Sequence, residues 1–322
     1  MANEDIEKFV LELSSGIRRE VLPYFGNQSS KHISGKAIGG DSTFLIDDIS
    51  ETYLKKYIED KNIDIAYYSE DKGLVKFGSP KNFLIIDPID GTRAAAAGLE
   101  SSCISIALFK YKDEPKMKDL EFGCVQEIKT GKMFIAKKGE GVKIIDGDKT
   151  MTPALSNNTD IRSLFWSVGL RGRPAVPIIG VLEELIDASN FNGSVFYLGS
   201  ASFSMTRIVS GQLDCYIDIG HRLISDFPAL EKNYARVGHG SIINNYPYDI
   251  AASYLILKES KATITDAYGN DLDEHCLMGI GKKYQLSTIA SSSEDLHSVL
   301  LMLIDKGFNK LANDIDRYLQ IK

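Results

Sequence analysis

The stretch Asn82–Gly98 reads NFLIIDPIDGTRAAAAG. An apolar run ends abruptly in two carboxylates three residues apart, followed by a Gly-Thr pair and four alanines. The spacing predicts a buried strand over 82–86 that ends at Asp87 and a turn through Pro88 and Ile89. A short helix then starts at Asp90-Gly91-Thr92 and stops at Gly98. Two carboxylates would then flank one turn, with the free N–H groups of a helix start beside them. A plainer reading fits the same residues: Asp90 or Thr92 caps the helix, and Pro-Ile-Asp-Gly is an ordinary turn.

Glu70-Asp71 closes the preceding strand-like run, so pairing of the two strands in register would bring their acidic ends to one edge. Hard divalent cations take several oxygen ligands, and Mg²⁺ combines a few carboxylates with waters and substrate phosphate. Two such ions roughly 4 Å apart would clamp a phosphoryl group and supply a nucleophile. Asp249, at the start of a later helical pattern, is a candidate third acidic element, and an ordinary helix cap explains it equally well.

The 322 residues allow two domains. With 37 basic against 44 acidic residues the net charge is -7, which leaves no broad footprint for nucleic acid. A chain of this charge that handles phosphate needs bound cations or backbone donors. Cys103, Cys124, Cys215 and Cys276 lie far apart with no CxxC pair, as expected of buried free thiols in a reducing compartment. The acidic N-terminus lacks the features of a signal peptide, and no apolar run reaches the roughly 18 residues that span a bilayer. No membrane association is expected, and the expected location is the cytoplasm.

Helical spacing covers 5–22 and 44–58, with a loop or hairpin over 26–40 between them. Strand-like runs follow at 63–68, 82–86, 104–109, 122–128, 132–137 and 142–145, giving an α+β unit with antiparallel strands to about residue 152. The second half, 153–322, alternates strands (163–169, 194–198, 213–218, 261–265) with helices (177–188, 200–210, 249–259), an α/β layer pattern. No element is assigned beyond Gly269.

In this order along the chain, a set of motifs resembles the inositol monophosphatase-like superfamily of Mg²⁺-dependent, lithium-sensitive phosphatases. They are Asp47 with Glu51, Glu70-Asp71, Asp87-Pro88-Ile89-Asp90-Gly91-Thr92, Gly199-Ser200-Ala201, Asp214 to Gly220, and Tyr248-Asp249-Ile250-Ala251-Ala252, followed by Lys258-Glu259-Ser260 and Thr265-Asp266 through Gly269. The resemblance implies a layered αβαβα sandwich of two subdomains and hydrolysis of a small sugar, inositol or nucleotide phosphomonoester. Inositol 1-phosphate and fructose 1,6-bisphosphate are favoured, and a 3′-phosphonucleotide is the alternative class. It implies two or three Mg²⁺ ions per site and a homodimer.

Carried over position by position, the family implies that Glu70, Asp87 and the Ile89 carbonyl hold one Mg²⁺, and that Asp87, Asp90 and Asp249 hold a second. Thr92 with Asp47 would orient the attacking water near Glu70. Asp90, Gly91, Thr92, Gly199, Ser200, Ala201 and Asp218 would meet the substrate. Several positions depart from the family. Arg93 and the alanines replace the usual asparagine after the hexapeptide, so Arg93 is either an extra anion contact or a solvated helix residue. Asp218 is one methylene shorter than the expected glutamate. An insertion at about 221–247, expected to be a specificity or lid element, makes Asp226 a rival to Asp249.

Arg171, Arg173, Arg222 and Arg236 could meet a second phosphate, against a solvated-face reading for each. His32, His221, His239, His275 and His297 show no ligand spacing and are expected at the surface or satisfied in the core. A catalytically silent phospho-metabolite sensor is the alternative to an enzyme. A nucleotide-dependent phosphotransferase lacks its GxxxxGK[ST] or GxGxxG loop.

Overall fold

The computed structural model describes residues 3–315. Helix α1 (Asn3–Val21) buries Ile6, Phe9, Val10, Leu13, Ile17 and Val21, the stripe that its 3.6-residue period lines up. A hairpin of β1 (Ile33–Lys36) and β2 (Ser42–Phe44) leads into α2 (Leu45–Lys61). Strands β3 (Ile65–Ser69), β4 (Gly73–Lys76) and β5 (Asn82–Asp90) follow, then the short helix α3 (Thr92–Ala97). After it come β6 (Cys103–Lys110), β7 (Phe122–Glu127), β8 (Met133–Lys137), β9 (Gly141–Asp146) and β10 (Lys149–Met151).

These strands form one sheet in the order β10-β9-β8-β7-β6-β5-β3-β4, antiparallel except where β3 runs parallel to β5. Every residue of β5 is buried because both faces of the sheet are covered. Leu84 and Ile86 pack with α1 and α2 on one face, and Phe83 and Ile85 face the other. The period of two is the reason a single strand serves two cores.

The second half contributes β11 (Phe165–Val168), α4 (Ala175–Ser189), β12 (Ser194–Phe196), α5 (Ala201–Val209), β13 (Cys215–Asp218), α6 (Gly220–Asp226), α7 (Glu231–Val237), α8 (Pro247–Ser260), β14 (Thr263–Thr265), β15 (Thr288–Ser291) and α9 (Glu294–Asn313). Its sheet has the order β12-β11-β13-β15-β14 and is mixed: β11 is parallel to β12 and β13, and β15 is antiparallel to β13 and β14. Helices α5 and α8 lie between the two sheets, and Met205, Ile208, Ile250 and Ala252 share a core with residues of both. Helices α4 and α9 cover the outer face. The layers are therefore helix, sheet, helix, sheet, helix, as the motifs implied.

Several local expectations are corrected. β5 does not end at Asp87: it continues to Asp90 through a bulge between Asp87 and Asp90, at Pro88 and Ile89, where proline has no N–H to give to β6. Cys276 is exposed, while Cys103, Cys124 and Cys215 are buried free thiols. Helix α6, where the insertion begins, is tied to the body. Arg222 on α6 bonds Asp226 at 3.2 Å, Asp305 at 2.7 Å and the Ala267 carbonyl at 2.6 Å, and lies over the rings of Tyr268 and Phe308. Among the described residues, no helix is long and apolar enough to cross a membrane.

His297 is a satisfied core histidine, its ring nitrogens 2.9 Å from Ser291 Oγ and 2.8 Å from Thr265 Oγ1. Burial pulls its pKa down from 6.5 to about 4. The unfolded chain therefore binds a proton that the folded one refuses, so this contribution is complete above about pH 6.5 and is lost as pH falls toward 4. At roughly 1.4 kcal/mol per unit, the loss by pH 4.5 is about 2–3 kcal/mol. In urea unfolding, His297→Gln should lose about that much less stability than the parent between pH 7 and 4.5. Equal losses would show that His297 is not the group responsible.

Candidate active site

The parallel register of β3 and β5, Ser69 opposite Ile86, brings the next residues, Glu70 and Asp87, side by side. The bulge then carries Asp90 to the same sheet edge, paired with Cys103 of β6. From the other half of the chain, α8 delivers Asp249. Ligand oxygens of Asp87, Asp90 and Asp249 lie within 4.8 Å of one another, all three residues buried. Glu70 stands beside this trio.

Each aspartate uses one oxygen to accept from the protein itself. Asp87 Oδ1 accepts from Ile89 N at 3.0 Å, and Asp249 Oδ2 from Tyr246 N at 2.6 Å. Asp90 Oδ2 accepts from Ser200 Oγ and from Ser202 N, both at 2.7 Å, at the start of α5. These bonds fix the carboxylates without neutralising them. Burial raises all four acids, Asp249 to about 7, and mutual repulsion adds to it: Asp249 acts on Glu70, Glu70 on Asp87, and Asp90 on Asp249.

Asp47 and Asp249 sit at the same place in different helices, the third residue of the first turn, each accepting from the N–H of the residue before its helix. The capping reading and the site reading are therefore both true of Asp249. Asp47 Oδ2 accepts from Phe44 N at 2.8 Å, and its Oδ1 lies 2.9 Å from Thr92 Oγ1. Thr92 Oγ1 is also 3.1 Å from the Ile89 carbonyl. Burial, with repulsion from Asp71, lifts Asp47 to about 8.

Gly91, between the trio and Thr92, has φ +90°. A Cβ there would stand 2.5 Å from the Ser101 carbonyl oxygen and 3.0 Å from Ser200 Cβ. Only glycine allows β5 to turn into α3 so close to the start of α5.

Other expected residues lie elsewhere or act differently. Asp226 is exposed and bonds Arg222 and the Tyr268 hydroxyl, away from the trio, so the structure favours Asp249 over its rival. Gly199, Ser200, Ala201 and Asp218 line the pocket beside Asp90 and Asp249. Asp218, however, is spent on the protein: Oδ2 pairs with the buried Arg173 at 2.5 Å, and Oδ1 accepts from Gly220 N at 3.0 Å. Arg173 also donates to the Ile243 carbonyl at 3.0 Å and so sets the pocket wall formed by Ile243, Asn244 and Asn245, near the end of the insertion. Arg171 lines the same pocket, and its charge acts on Glu70, Asp249 and Asp90. Asp41 is the residue that the sequence reading missed. It sits at the tip of the β1–β2 hairpin and accepts from both Arg93 and Arg171.

The model of the inositol monophosphatase family matches residues 2–304. The fructose-1,6-bisphosphatase/inositol-1-monophosphatase of Methanocaldococcus jannaschii is 26% identical over 292 residues, which cover 91% of this chain and 96% of that one. The fructose-1,6-bisphosphatase of Pyrococcus furiosus is 25% identical, covering 92% and 96%. Among solved structures, an inositol monophosphatase from Thermotoga maritima matches with a TM-score of 0.68 at 19% identity, over 95% of this chain and 99% of the other. With the hexapeptide, its acidic partners and the layered fold all in place, the chain belongs to the inositol monophosphatase family.

Proposed function

We propose that this chain is a phosphatase that hydrolyses the phosphomonoester of a small sugar, inositol or nucleotide phosphate, using Mg²⁺. The observation that carries the reading is the trio Asp87, Asp90 and Asp249, three buried carboxylates from distant parts of the chain, beside the helix start at Gly91-Thr92. An all-oxygen donor set of like charge suits a hard divalent cation and leaves the acids poorly compensated without one. Glu70, Asp87 and the Ile89 carbonyl would hold one ion, and Asp87, Asp90 and Asp249 a second. Bound there, the ions would supply phosphoryl charge neutralisation and a water of lowered pKa.

The protein's own groups do the rest. Backbone N–H groups of Gly91 and Thr92 head α3, where first-turn amides lack intrahelical acceptors, and hold the phosphate oxygens. The Thr92 hydroxyl, placed by Asp47 and the Ile89 carbonyl, orients the attacking water with Glu70 for in-line displacement at phosphorus. Asp47 accepts the Thr92 hydroxyl hydrogen bond and so fixes the orientation of that hydroxyl toward the water. No covalent phosphoenzyme is needed: positioning and electrostatics carry the step.

The named activities of the relatives support inositol phosphates and sugar bisphosphates as the substrates to try first. Engagement of Asp218 by Arg173 weighs against its serving as a free acceptor for sugar hydroxyls. A homodimer working in the cytoplasm is the family-based expectation for the assembly.

Two variants test the site. Asp90→Asn removes a charge from the trio and should cut Mg²⁺-dependent phosphate release by more than ~10²-fold, several kcal/mol of transition-state stabilisation. Near-normal turnover of the folded variant would contradict the assignment. Gly91→Ala, strained at positive φ and crowded by Ser101, should lower stability by about 1–3 kcal/mol in denaturant titration and lower activity as well. An unperturbed, fully active variant would show that the turn does not position the phosphate.

A further inference from the structure

Ser202, the second residue of α5, bonds an aspartate from each half of the chain. Its N–H donates to Asp90 Oδ2 at 2.7 Å, and its hydroxyl lies 2.7 Å from the main-chain carbonyl oxygen of Asp249. The N–H is available because amides in the first turn of a helix have no intrahelical acceptor. Chemistry fixes the direction of the second bond: a hydroxyl carries one proton, and a carbonyl oxygen can only accept. The other oxygens near Ser202 Oγ are hydroxyls, Ser253 Oγ at 3.2 Å and Ser105 Oγ at 3.3 Å. Ser105 in turn is the residue of β6 paired with Asp87. One side chain therefore sits among the elements that carry all three aspartates of the trio.

The surroundings make this bond a constraint on geometry. Ser105, Ser202 and Ser253 are all buried, where β6, α5 and α8 meet. Ser202 is not part of the pocket wall, which is formed on this helix by Ala201 and Ser204. Both of its polar groups are engaged by the protein, so it does not reach the place of the cation or the substrate. Asp90 and Asp249 arrive by independent routes, one on the bulge of β5 and the other on α8, and Ser202 joins those routes within a single residue. Mg²⁺ demands near-ideal octahedral geometry, with oxygens at about 2.0–2.1 Å, so a small shift of α8 against β5 would be felt at the ion.

We propose that Ser202 is a positioning residue for the cation site: its hydroxyl holds the first turn of α8 against α5 and so sets the separation of Asp249 from Asp90. This rests on the Mg²⁺-dependent reading above. It assigns to the serine an effect on cation affinity that exceeds its effect as packing.

Two neighbouring serines make the test. Ser202→Ala keeps the N–H bond to Asp90 and deletes only the hydroxyl that holds Asp249. Ser253→Ala deletes a hydroxyl from the same buried cluster, one that lies 3.0 Å from the Ile250 carbonyl oxygen and bonds neither aspartate. Mg²⁺ is titrated by calorimetry into the chelator-stripped wild type and both variants, with near-UV circular dichroism to check that each is folded. Ser202→Ala should bind Mg²⁺ about tenfold more weakly, as loss of a partner that orients a metal ligand does, while Ser253→Ala stays within twofold of the wild type. Ser202→Cys, a weaker donor, should fall between Ser202→Ala and the wild type, and it carries the comparison if the alanine variant does not fold. In Mg²⁺-activated phosphate release, the half-activating Mg²⁺ concentration should rise by the same factor as the dissociation constant.

Wild-type Mg²⁺ affinity in Ser202→Ala, or equal losses in Ser202→Ala and Ser253→Ala, overturns the positioning role and leaves the cation reading standing. Absence of Mg²⁺ binding by the wild type contradicts the cation reading and overturns the proposal with it.

Discussion

Mutual repulsion among buried carboxylates is the constraint on which this structure turns. Asp87, Asp90 and Asp249 have oxygens within 4.8 Å of one another, with Glu70 alongside, and the hydrogen bonds they receive from Ile89, Ser200, Ser202 and Tyr246 orient them without cancelling their charge. Four acids faced by the one guanidinium of Arg171 are only partly compensated, which is unfavourable in a protein interior. The set persists because the surrounding layers over-determine where the chain must go. β5 is buried on both faces, its bulge is enforced by a proline, and α8 is wedged between two sheets by an apolar core. Stability supplied by those layers holds the site in a form that is ready for cations.

The same economy appears in the helices that border the site. Asp47 in α2 and Asp249 in α8 cap their own first turns with one oxygen, so the bond that starts each helix also turns the other oxygen of Asp47 to Thr92 and places Asp249 in the pocket wall. Ser200 caps α5 by accepting from Phe203 N while donating to Asp90. The alanines of α3 act through their size. Ala94, Ala95 and Ala96 are buried, and the Gly26 amide donates to the Ala95 carbonyl at 2.9 Å, an approach that larger side chains would hold off. What departs from the family's pattern at 94–96 is thus packing under the site, while Arg93 turns outward to Asp41.

Much of this was legible in the residues. The apolar run into Asp-Pro-Ile-Asp-Gly-Thr gave the strand and helix start, and Glu70 falls opposite Asp87 because β3 and β5 pair in register as expected. The strand's continuation through the bulge was hidden because a proline between two aspartates signals a turn as well as it signals a bulge. α9 carries clear marks, a Ser293 cap before Glu294-Asp295 and buried Leu296, Leu300, Leu303, Ile304, Phe308 and Leu311 at helical spacing. Neither α9 nor β15 was assigned, because the motif trail ended at Gly269. Asp41 and the Arg173–Asp218 pair were beyond reach for a different reason. Isolated aspartates and arginines in polar segments look like solvated surface, and only the folded chain shows which of them meet.

The central claim is that the buried acids are a site for divalent cations, with Asp249 as the third ligand. Calorimetric titration of Mg²⁺ into chelator-stripped protein tests it most directly, comparing the wild type with Asp249→Asn and Asp226→Asn. Saturable binding by the wild type, retained in Asp226→Asn and weakened at least about tenfold in Asp249→Asn, is the result this structure predicts. Equal binding by all three proteins, or loss in Asp226→Asn alone, would contradict it.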